Sequence, residues 1–187
     1  MNSRLKRAVF LDRDGVINHD AGYTSSISDF KFIEGIFELV QTAIQQDFLV
    51  IVITNQAGIG RGFYSEQDFL NLTAWMLDQF KDAGSPITDV FFCPYHPKYG
   101  INEYKIDSVD RKPNPGMIIK AAEKYAIDLP ASIMIGDKAS DMQAAQAAGI
   151  NNRWLFNVDQ IQESLNSYET QVIFSLGEAN KLLKSLR

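Results

Sequence analysis

The chain alternates short apolar runs with segments in which apolar residues recur every three or four positions. Residues 8–11 form one apolar run, and residues 48–53 are apolar at every position. Fully apolar runs of this length are typical of parallel strands that helices cover on both faces. Residues 34–47, which lie between the two runs, carry apolar side chains at helical spacing and predict an amphipathic helix.

The same alternation continues to the C-terminus. Ser65 can accept a hydrogen bond from the amide of Asp68, so it predicts the start of a helix that ends before Gly84. Further strands are predicted at 90–93, 132–135, 153–156 and 172–174, and further helices at 115–127, 139–148 and the C-terminal segment. This order predicts an α/β fold, a Rossmann-like, doubly wound and mostly parallel sheet with helices on both faces.

Length and composition favour one domain. The 187 residues, 45% of them hydrophobic, can bury a substantial core, so we predict a single domain over 1–187 with a loop insertion at 93–111. The longest apolar run, 48–53, is too short to span a bilayer, and the run at 8–11 is too short for a signal-peptide core. We therefore expect a soluble, cytoplasmic protein with no membrane partner.

Charge and cysteine content narrow the expected partners. The single cysteine, Cys93, excludes an internal disulfide framework and fits a reducing compartment. A formal net charge of −5 disfavours general binding to nucleic acid, because a polyanion would be repelled. An anionic substrate would therefore need locally concentrated positive charge.

The first predicted strand ends in a pair of carboxylates. Asp12 and Asp14 are two residues apart, so their side chains lie on one side of an extended segment, and Gly15 permits a sharp turn after them. One carboxylate can attack an electrophile while the other transfers a proton. For this motif alone, an acidic turn exposed to solvent is the alternative interpretation.

Other polar segments follow the predicted strands or precede a helix. Residues 54–62 follow the second strand, residues 136–141 follow the fourth, and Arg111 and Lys112 come just before a helix. Because the carboxyl ends of parallel strands meet at one edge, we expect acids, a hydroxyl, an amide and cations to share one crevice.

In this order and spacing, the motifs resemble those of the haloacid dehalogenase (HAD) superfamily of phosphohydrolases: Asp12-x-Asp14, Thr54, Lys112 and Gly136-Asp137-x-x-x-Asp141. Within it, the chain is similar to the D-glycero-D-manno-heptose 1,7-bisphosphate 7-phosphatases through 12–18, 20–23, 54–62, 93–97, 111–117 and 136–142. The similarity extends to about residue 156. Histidinol-phosphate phosphatases have similar motifs.

The resemblance implies a covalent mechanism. Asp12 would attack phosphorus to form an aspartyl-phosphate, and Asp14 would protonate the leaving alkoxide and then deprotonate the hydrolytic water. Mg²⁺ would be bound by the carboxylates of Asp12 and Asp137 and by the backbone carbonyl of Asp14. Thr54 would donate to the transferring phosphoryl group, and Lys112 would neutralise its charge.

A substrate-binding set also follows. The resemblance places 20–23 and 54–57 around the substrate, and it assigns substrate recognition to Arg111 and substrate binding to Lys138. Arg61 is a further cation able to bind a second phosphate or sugar hydroxyls. The full set is Asp20, Ala21, Gly22, Tyr23, Thr54, Asn55, Gln56, Ala57, Arg61, Arg111, Lys112 and Lys138. Asp141 is expected to orient Lys138 or a metal-bound water; a carboxylate at a helix N-terminus is the alternative.

The insertion departs from its relatives. Many relatives bind a structural zinc there with Cys-x-His and Cys-x-Cys, but the matching residues here are Cys93, Tyr95, Ser108 and Asp110. Three of the four ligands are replaced, so we expect this zinc to be absent. A rearranged and poor zinc set is the alternative, made of Cys93, His96, Asp107 and Asp110. Otherwise we expect apolar packing by Tyr95, Tyr99, Ile101, Tyr104 and Ile106.

The expected activity is hydrolysis of a small phosphorylated sugar. No segment between the motifs is long enough for a separate cap domain, so we expect an open site that releases the 7-phosphate of heptose bisphosphate, in carbohydrate metabolism of lipopolysaccharide or capsule precursors. The alternatives are a histidinol-phosphate or other small phosphosugar phosphatase, a phosphotransferase, and a silent phosphosugar-binding scaffold. We expect a monomer or a weak homo-oligomer.

Overall fold

The computed structural model describes residues 5–156 and 171–186. Its strands are β1 (Arg7–Leu11), β2 (Phe48–Asn55), β3 (Asp89–Cys93), β4 (Ile133–Gly136), β5 (Asn152–Phe156) and β6 (Gln171–Ile173). They form one sheet in the order β3-β2-β1-β4-β5-β6, and every neighbouring pair is parallel. The predicted doubly wound parallel sheet is confirmed, with its topological switch point at β1.

The helices match the predicted segments and add short ones. They are α1 (Ile36–Gln45), α2 (Ala57–Gly60), α3 (Glu66–Asp82), α4 (Gly116–Tyr125), α5 (Ala139–Ala148) and α6 (Leu176–Ser185). Ser65 caps α3 as predicted, by accepting from the amide of Asp68 at 3.1 Å. Helix α2 and the 3-10 turns at Ile27–Asp29 and Asn102–Tyr104 were not predicted, because they are too short for periodicity. Among the described helices, none is long and apolar enough to cross a membrane.

Alternating side chains divide the core into two layers. Val9 and Leu11 of β1 pack with apolar residues of α1, α3 and α6 on one face of the sheet. Ala8 and Phe10 pack on the other face with α4 and α5. Helices therefore cover both faces, and the strand ends are the accessible part of the sheet.

Strand β2 extends beyond its predicted end at residue 53. Thr54 pairs in register with Phe92, and Asn55 pairs with Cys93, so both residues lie inside the strand and not after it. Thr54 is fully buried there. Pairing with β3 is the reason for the extension, and the hydrophobic pattern carries no signal of it because Thr54 and Asn55 are polar.

The 93–111 insertion packs against α2 through backbone contacts more than through apolar side chains. The amide of Ile101 donates to the carbonyl of Gly60 at 2.8 Å. Tyr95 and Tyr104 are partly buried with ring centroids 6.0 Å apart, which confirms that part of the predicted packing. The prediction was wrong for three residues that are 45–51% exposed, namely Tyr99, Ile101 and Ile106. About half of each of these side chains is exposed to solvent.

We predict that Gly60→Ala loosens the insertion. A methyl group on Gly60 would lie 2.4 Å from the carbonyl oxygen of Pro94 and 2.9 Å from Cβ of Tyr104. Urea denaturation should show a free energy of unfolding lower by about 1–3 kcal/mol. Gly177→Ala in α6 is the control, since the nearest atom beyond the neighbouring residues would be Oγ of Ser175, at an ordinary contact distance of 3.7 Å. Equal stability of the two variants would contradict this packing.

Candidate active site

Most of the predicted residues converge on one cavity at the carboxyl edge of the sheet, and only Ala21, Thr54, Arg61 and Asp137 do not line it. Asp12 follows β1, Asn55 ends β2, and Asp141 lies in the first turn of α5. The cavity has a volume of about 380 Å³. Its lining is polar, with Asp12, Asp14, Asp20, Gly22, Tyr23, Asn55, Gln56, Ala57, Tyr64, Arg111, Lys112, Lys138, Ser140 and Asp141.

Lys112 lies at the centre of the charged network. Its Nζ is 2.8 Å from Oδ1 of Asp12 and 2.7 Å from Oδ1 of Asp141, and it donates to the carbonyl of Ile53 at 3.0 Å. The side chain of Asn55 holds the backbone of Lys112, accepting from its amide at 3.1 Å and donating to its carbonyl at 3.0 Å. The network therefore joins β1, β2 and α5 through one ammonium group.

Burial and charge act in opposite directions on this network. Burial alone would lower the pKa of Lys112, but the charges of Asp12 and Asp141 outweigh it and raise the pKa, so the ammonium stays protonated. Burial raises the pKa of Asp12, and Lys112 opposes part of that effect. One ammonium thus compensates only part of the negative charge at this edge.

Asp137 carries the excess negative charge. Burial, followed by the charge of Asp12, raises the pKa of Asp137 to about 7. Its Oδ1 is buried without a hydrogen-bond partner. Gly15 permits this arrangement, because a Cβ there would lie 2.2 Å from Oδ2 of Asp137 and because its φ is +92°.

These carboxylates form the one candidate metal group among the described residues. Oxygen atoms of Asp12, Asp137 and Asp141 all lie within 4.8 Å of one another. Carboxylate oxygens are the ligands that Mg²⁺ prefers. Asp141 also accepts from the backbone amide of Lys138 at 3.0 Å, so the helix-terminus interpretation holds beside its contact with Lys112.

A cradle of donors fixes Asp14. The guanidinium of Arg13 donates from Nη2 to both carboxylate oxygens of Asp14, at 2.8 and 2.9 Å. Asn18 donates to Oδ1 at 3.0 Å, and Gln56 donates to Oδ2 at 3.1 Å. Arg13 is only 1% exposed, so the residue between the two acidic residues is a buried support for Asp14.

Thr54 lies beside the cavity without lining it. Its Oγ1 accepts from Nε2 of Gln56 at 2.8 Å, and Oε1 of Gln56 accepts from the hydroxyl of Tyr64 at 2.6 Å. This chain of side chains links Thr54 to the Asp14 cradle. Burial raises the pKa of Tyr64 to about 12, so its hydroxyl stays protonated and able to donate.

A cation holds residues 20–23, the segment predicted to contact the substrate, which we call the substrate loop. Nζ of Lys138 is 3.0 Å from Oδ2 of Asp20 and 3.4 Å from Oδ2 of Asp137. Burial by itself would lower the pKa of Lys138, but Asp137 and Asp20 raise it. Oδ1 of Asp20 accepts from the amide of Gly22 at 3.0 Å and closes the turn. Lys138 thus bridges the loop and the carboxylate group.

The remaining predicted residues occupy different places. Arg111 lines the cavity and donates to the carbonyl of Tyr95 at 3.2 Å. Arg61 and Ala21 are not among the lining residues. Asp141 contacts the side chain of Lys112 and only the backbone of Lys138.

The rearranged zinc set is not assembled in the described part of the chain. Its four residues form no cluster of candidate metal-binding atoms there. Nδ1 of His96 accepts from the amides of Lys98 and Tyr99, at 3.1 and 3.0 Å. Oδ2 of Asp110 is paired with Nζ of Lys120 at 2.5 Å. The side chains of His96 and Asp110 therefore already have partners within the protein, and these contacts stabilise the loop.

Four residues at or beside the cavity were missed from the sequence: Arg13, Asn18, Tyr64 and Ser140. Arg13 and Asn18 belong to the motif that follows β1, and the charge of Arg13 beside two acids was a usable signal. Tyr64 and Ser140 had none, because their places depend on how α3 and α5 begin.

Known proteins place this geometry in a family. A family profile described as HAD-hydrolase-like matches residues 109–154. The D-glycero-alpha-D-manno-heptose-1,7-bisphosphate 7-phosphatase of Burkholderia mallei is 54% identical over 149 residues, covering 80% of this chain and 79% of that protein. The chain belongs to the heptose-1,7-bisphosphate 7-phosphatase family of HAD-like hydrolases.

Another family member and two solved structures agree. The D-glycero-beta-D-manno-heptose-1,7-bisphosphate 7-phosphatase of Vibrio cholerae is 44% identical over 172 residues, covering 91% of this chain and 92% of the Vibrio protein. A Mesorhizobium loti HAD-like phosphatase superimposes with a TM-score of 0.86 at 31% identity, over 100% of this chain and 91% of that one. The D,D-heptose 1,7-bisphosphate phosphatase of B. bronchiseptica, complexed with magnesium and phosphate, has a TM-score of 0.85 at 27% identity, over 97% and 99% of the chains. The predicted HAD phosphatase is confirmed.

We predict that neutralising Asp137 stabilises the protein in a metal chelator. Its folded-state pKa of about 7 exceeds the ordinary 3.8, so the stability that its bound proton provides is lost as the pH rises from about 4 to 7. Asn cannot ionise, so Asp137→Asn should be more stable than the parent by about 1–3 kcal/mol at pH 8, and the gap should close towards pH 4. Chemical denaturation across this pH range measures the gap.

Asp89→Asn is the control for this titration. Lys124 and Tyr125 donate to Asp89 and lower its pKa against the effect of burial, so this variant should lose stability at pH 8 and lose less at pH 4. A gap of the same sign for both variants would contradict the assignment of buried, uncompensated charge to Asp137.

Proposed function

We propose that this chain hydrolyses the 7-phosphate of D-glycero-D-manno-heptose 1,7-bisphosphate through an aspartyl-phosphate. The observation that carries the chemistry is the buried ammonium of Lys112 between Asp12 and Asp141 at the base of the cavity. The names of the relatives support the substrate, since the alpha-named and beta-named proteins both act on a heptose 1,7-bisphosphate at position 7.

In the proposed reaction, a carboxylate oxygen of Asp12 forms a bond to phosphorus as the bond from phosphorus to the sugar oxygen breaks. Asp14 gives a proton to the leaving alkoxide, then takes one from the water that attacks the aspartyl-phosphate and releases phosphate. Lys112 balances the phosphoryl charge, and Thr54, which does not line the cavity, supports Gln56 beside it. The donors around Asp14 hold it in place for both proton transfers.

The residues at this edge fit Mg²⁺. Asp137 has an orphaned buried oxygen, and its raised pKa reflects first its burial and then the charge of Asp12, which Lys138 and Lys112 only partly offset. We propose that Asp12, Asp137 and the backbone carbonyl of Asp14 hold the ion. When bound, it supplies positive charge that lets a carboxylate approach a phosphate dianion.

Two of the cations that line the cavity suit a second phosphate. Arg111 and Lys138 line the cavity together with Gly22 and Tyr23 of the substrate loop. We propose that they contact the sugar and its 1-phosphate, as bidentate Arg and point-charge Lys do in phosphate sites. A volume of about 380 Å³ accommodates a small sugar bisphosphate.

We propose that the insertion holds no structural zinc. Cys93 is buried. Burial raises the pKa of its thiol more than the hydrogen bond with Ser108 lowers it, and a raised pKa disfavours the thiolate that zinc requires. Asp110, which replaces a further ligand, is paired with Lys120.

We also propose one domain over the whole chain, a cytoplasmic location, and a monomer or weak homo-oligomer.

The test is a steady-state screen of phosphosugars with Mg²⁺, using both anomers of heptose 1,7-bisphosphate, heptose 7-phosphate and histidinol phosphate. We expect the highest kcat/KM for one anomer of the bisphosphate, with heptose 1-phosphate as product. Asp12→Asn should lower kcat by at least about 10³-fold, because Asn is not a nucleophile. Removing Mg²⁺ with a chelator should abolish turnover, and adding it back should restore it.

The outcomes separate the alternatives. Faster turnover of histidinol phosphate would replace the proposed substrate. Transfer to added sugar acceptors in place of phosphate release would indicate a phosphotransferase. Binding without turnover of any phosphosugar would indicate a scaffold, and equal activity of Asp12→Asn would remove the proposed nucleophile.

A further inference from the structure

Three aromatic rings surround the guanidinium of Arg61 at the mouth of the cavity. Cζ of Arg61 is 4.7 Å from the ring centroid of Phe63, 5.1 Å from that of Tyr99 and 5.3 Å from that of Tyr23. Its Nη1 donates to the hydroxyl of Tyr23. Tyr23 and Phe63 also contact each other edge-to-face, with centroids 4.7 Å apart. We call these four residues the Arg61 cluster.

The Arg61 cluster joins three separate segments. Tyr23 belongs to the substrate loop, Phe63 follows α2, and Tyr99 belongs to the insertion. The insertion is already fixed to α2 through the hydrogen bond from Ile101 to Gly60. Through Tyr23, Arg61 connects the substrate loop to α2 and the insertion.

The substrate loop needs such support. Tyr23 has a φ of +57°, a conformation that non-glycine residues adopt only where their surroundings hold them. On one side of the loop, Lys138 pairs with Asp20. On the other side, Arg13 donates to the carbonyl of Thr24 at 2.8 Å, and Arg61 holds the ring of Tyr23.

Arg61 itself is not among the cavity-lining residues, whereas Tyr23 is. The guanidinium of Arg61 already makes cation–π contacts with three rings and donates a hydrogen bond to a hydroxyl, so the protein itself stabilises its charge. These contacts favour action through Tyr23 over direct contact with a phosphate.

We propose that Arg61 is a positioning residue that sets substrate specificity, by holding Tyr23 and the substrate loop against the part of the sugar that lies beyond the reacting phosphate. This inference rests on the proposed hydrolysis of a sugar bisphosphate. The cluster does for this open site what a cap domain does elsewhere, since it orders one wall of the cavity around the ligand.

The test compares a large and a small substrate in Arg61→Met, which keeps a long side chain and loses the guanidinium. We expect KM for heptose 1,7-bisphosphate to rise about tenfold and kcat to change by less than about threefold. Turnover of 4-nitrophenyl phosphate, which has no sugar for the loop to contact, should stay within about twofold of the parent. A purely structural defect would lower both activities together.

Two ring variants separate positioning from direct phosphate binding. Phe63→Leu and Tyr99→Leu remove one ring each and no charge, and we expect each to raise KM about threefold with the same small effect on kcat. If Arg61→Met raises KM and both ring variants leave it unchanged, Arg61 binds the substrate directly and the proposal is overturned. An unchanged KM in Arg61→Met overturns it as well.

Arg7→Met is the matched control. Arg7 also stacks on an aromatic ring, 4.1 Å from the centroid of Phe48, but at the opposite end of β1. We expect its KM to equal that of the parent, and a rise like that of Arg61→Met would overturn the proposal. If the parent hydrolyses no phosphosugar, the proposed function and this inference both fail; if it does and the variants differ from expectation, only this inference fails.

Discussion

One buried ammonium group determines how the active site is built. Lys112 is 4% exposed and lies between the carboxylates of Asp12 and Asp141. Both carboxylates are buried at the end of the sheet, and without the ammonium group they would repel each other. Burying such an ion pair costs desolvation free energy, so its geometry must be held by other groups. Asn55 grips the backbone of Lys112, and the carbonyl of Ile53 accepts from its side chain. The site therefore depends on the exact end of β2.

The fold was predictable because its periodicities are strong. Strands that helices cover on both faces need apolar side chains at every position, which makes the run at 48–53 plain in the sequence. The carboxylates after β1 and β4 were predictable for a related reason, since parallel strands end at one edge. Helix α5 ends at residue 148 as predicted, and Gly149 follows it with a φ of +88°. Local chemistry decided each of these features.

The rest of the site depends on contacts between distant residues, which periodicity does not encode. The sequence analysis did not single out Arg13, yet it is buried against Asp14. Arg61 reads as a phosphate ligand, yet rings from three segments surround it. In the insertion, three of the five side chains that were expected to pack are about half exposed. What remains there is held by hydrogen bonds between backbone groups and by ion pairs such as Asp110 with Lys120.

We propose that the charge around Lys112 presents Asp12 as a nucleophile towards phosphorus. The most direct test is to quench the enzyme in acid within milliseconds of mixing with substrate, reduce the trapped acyl phosphate with borohydride, and locate the product by mass spectrometry. Reduction of an aspartyl-phosphate yields homoserine, and we predict homoserine at position 12 alone. Homoserine at another position, or none during active turnover, would contradict the account.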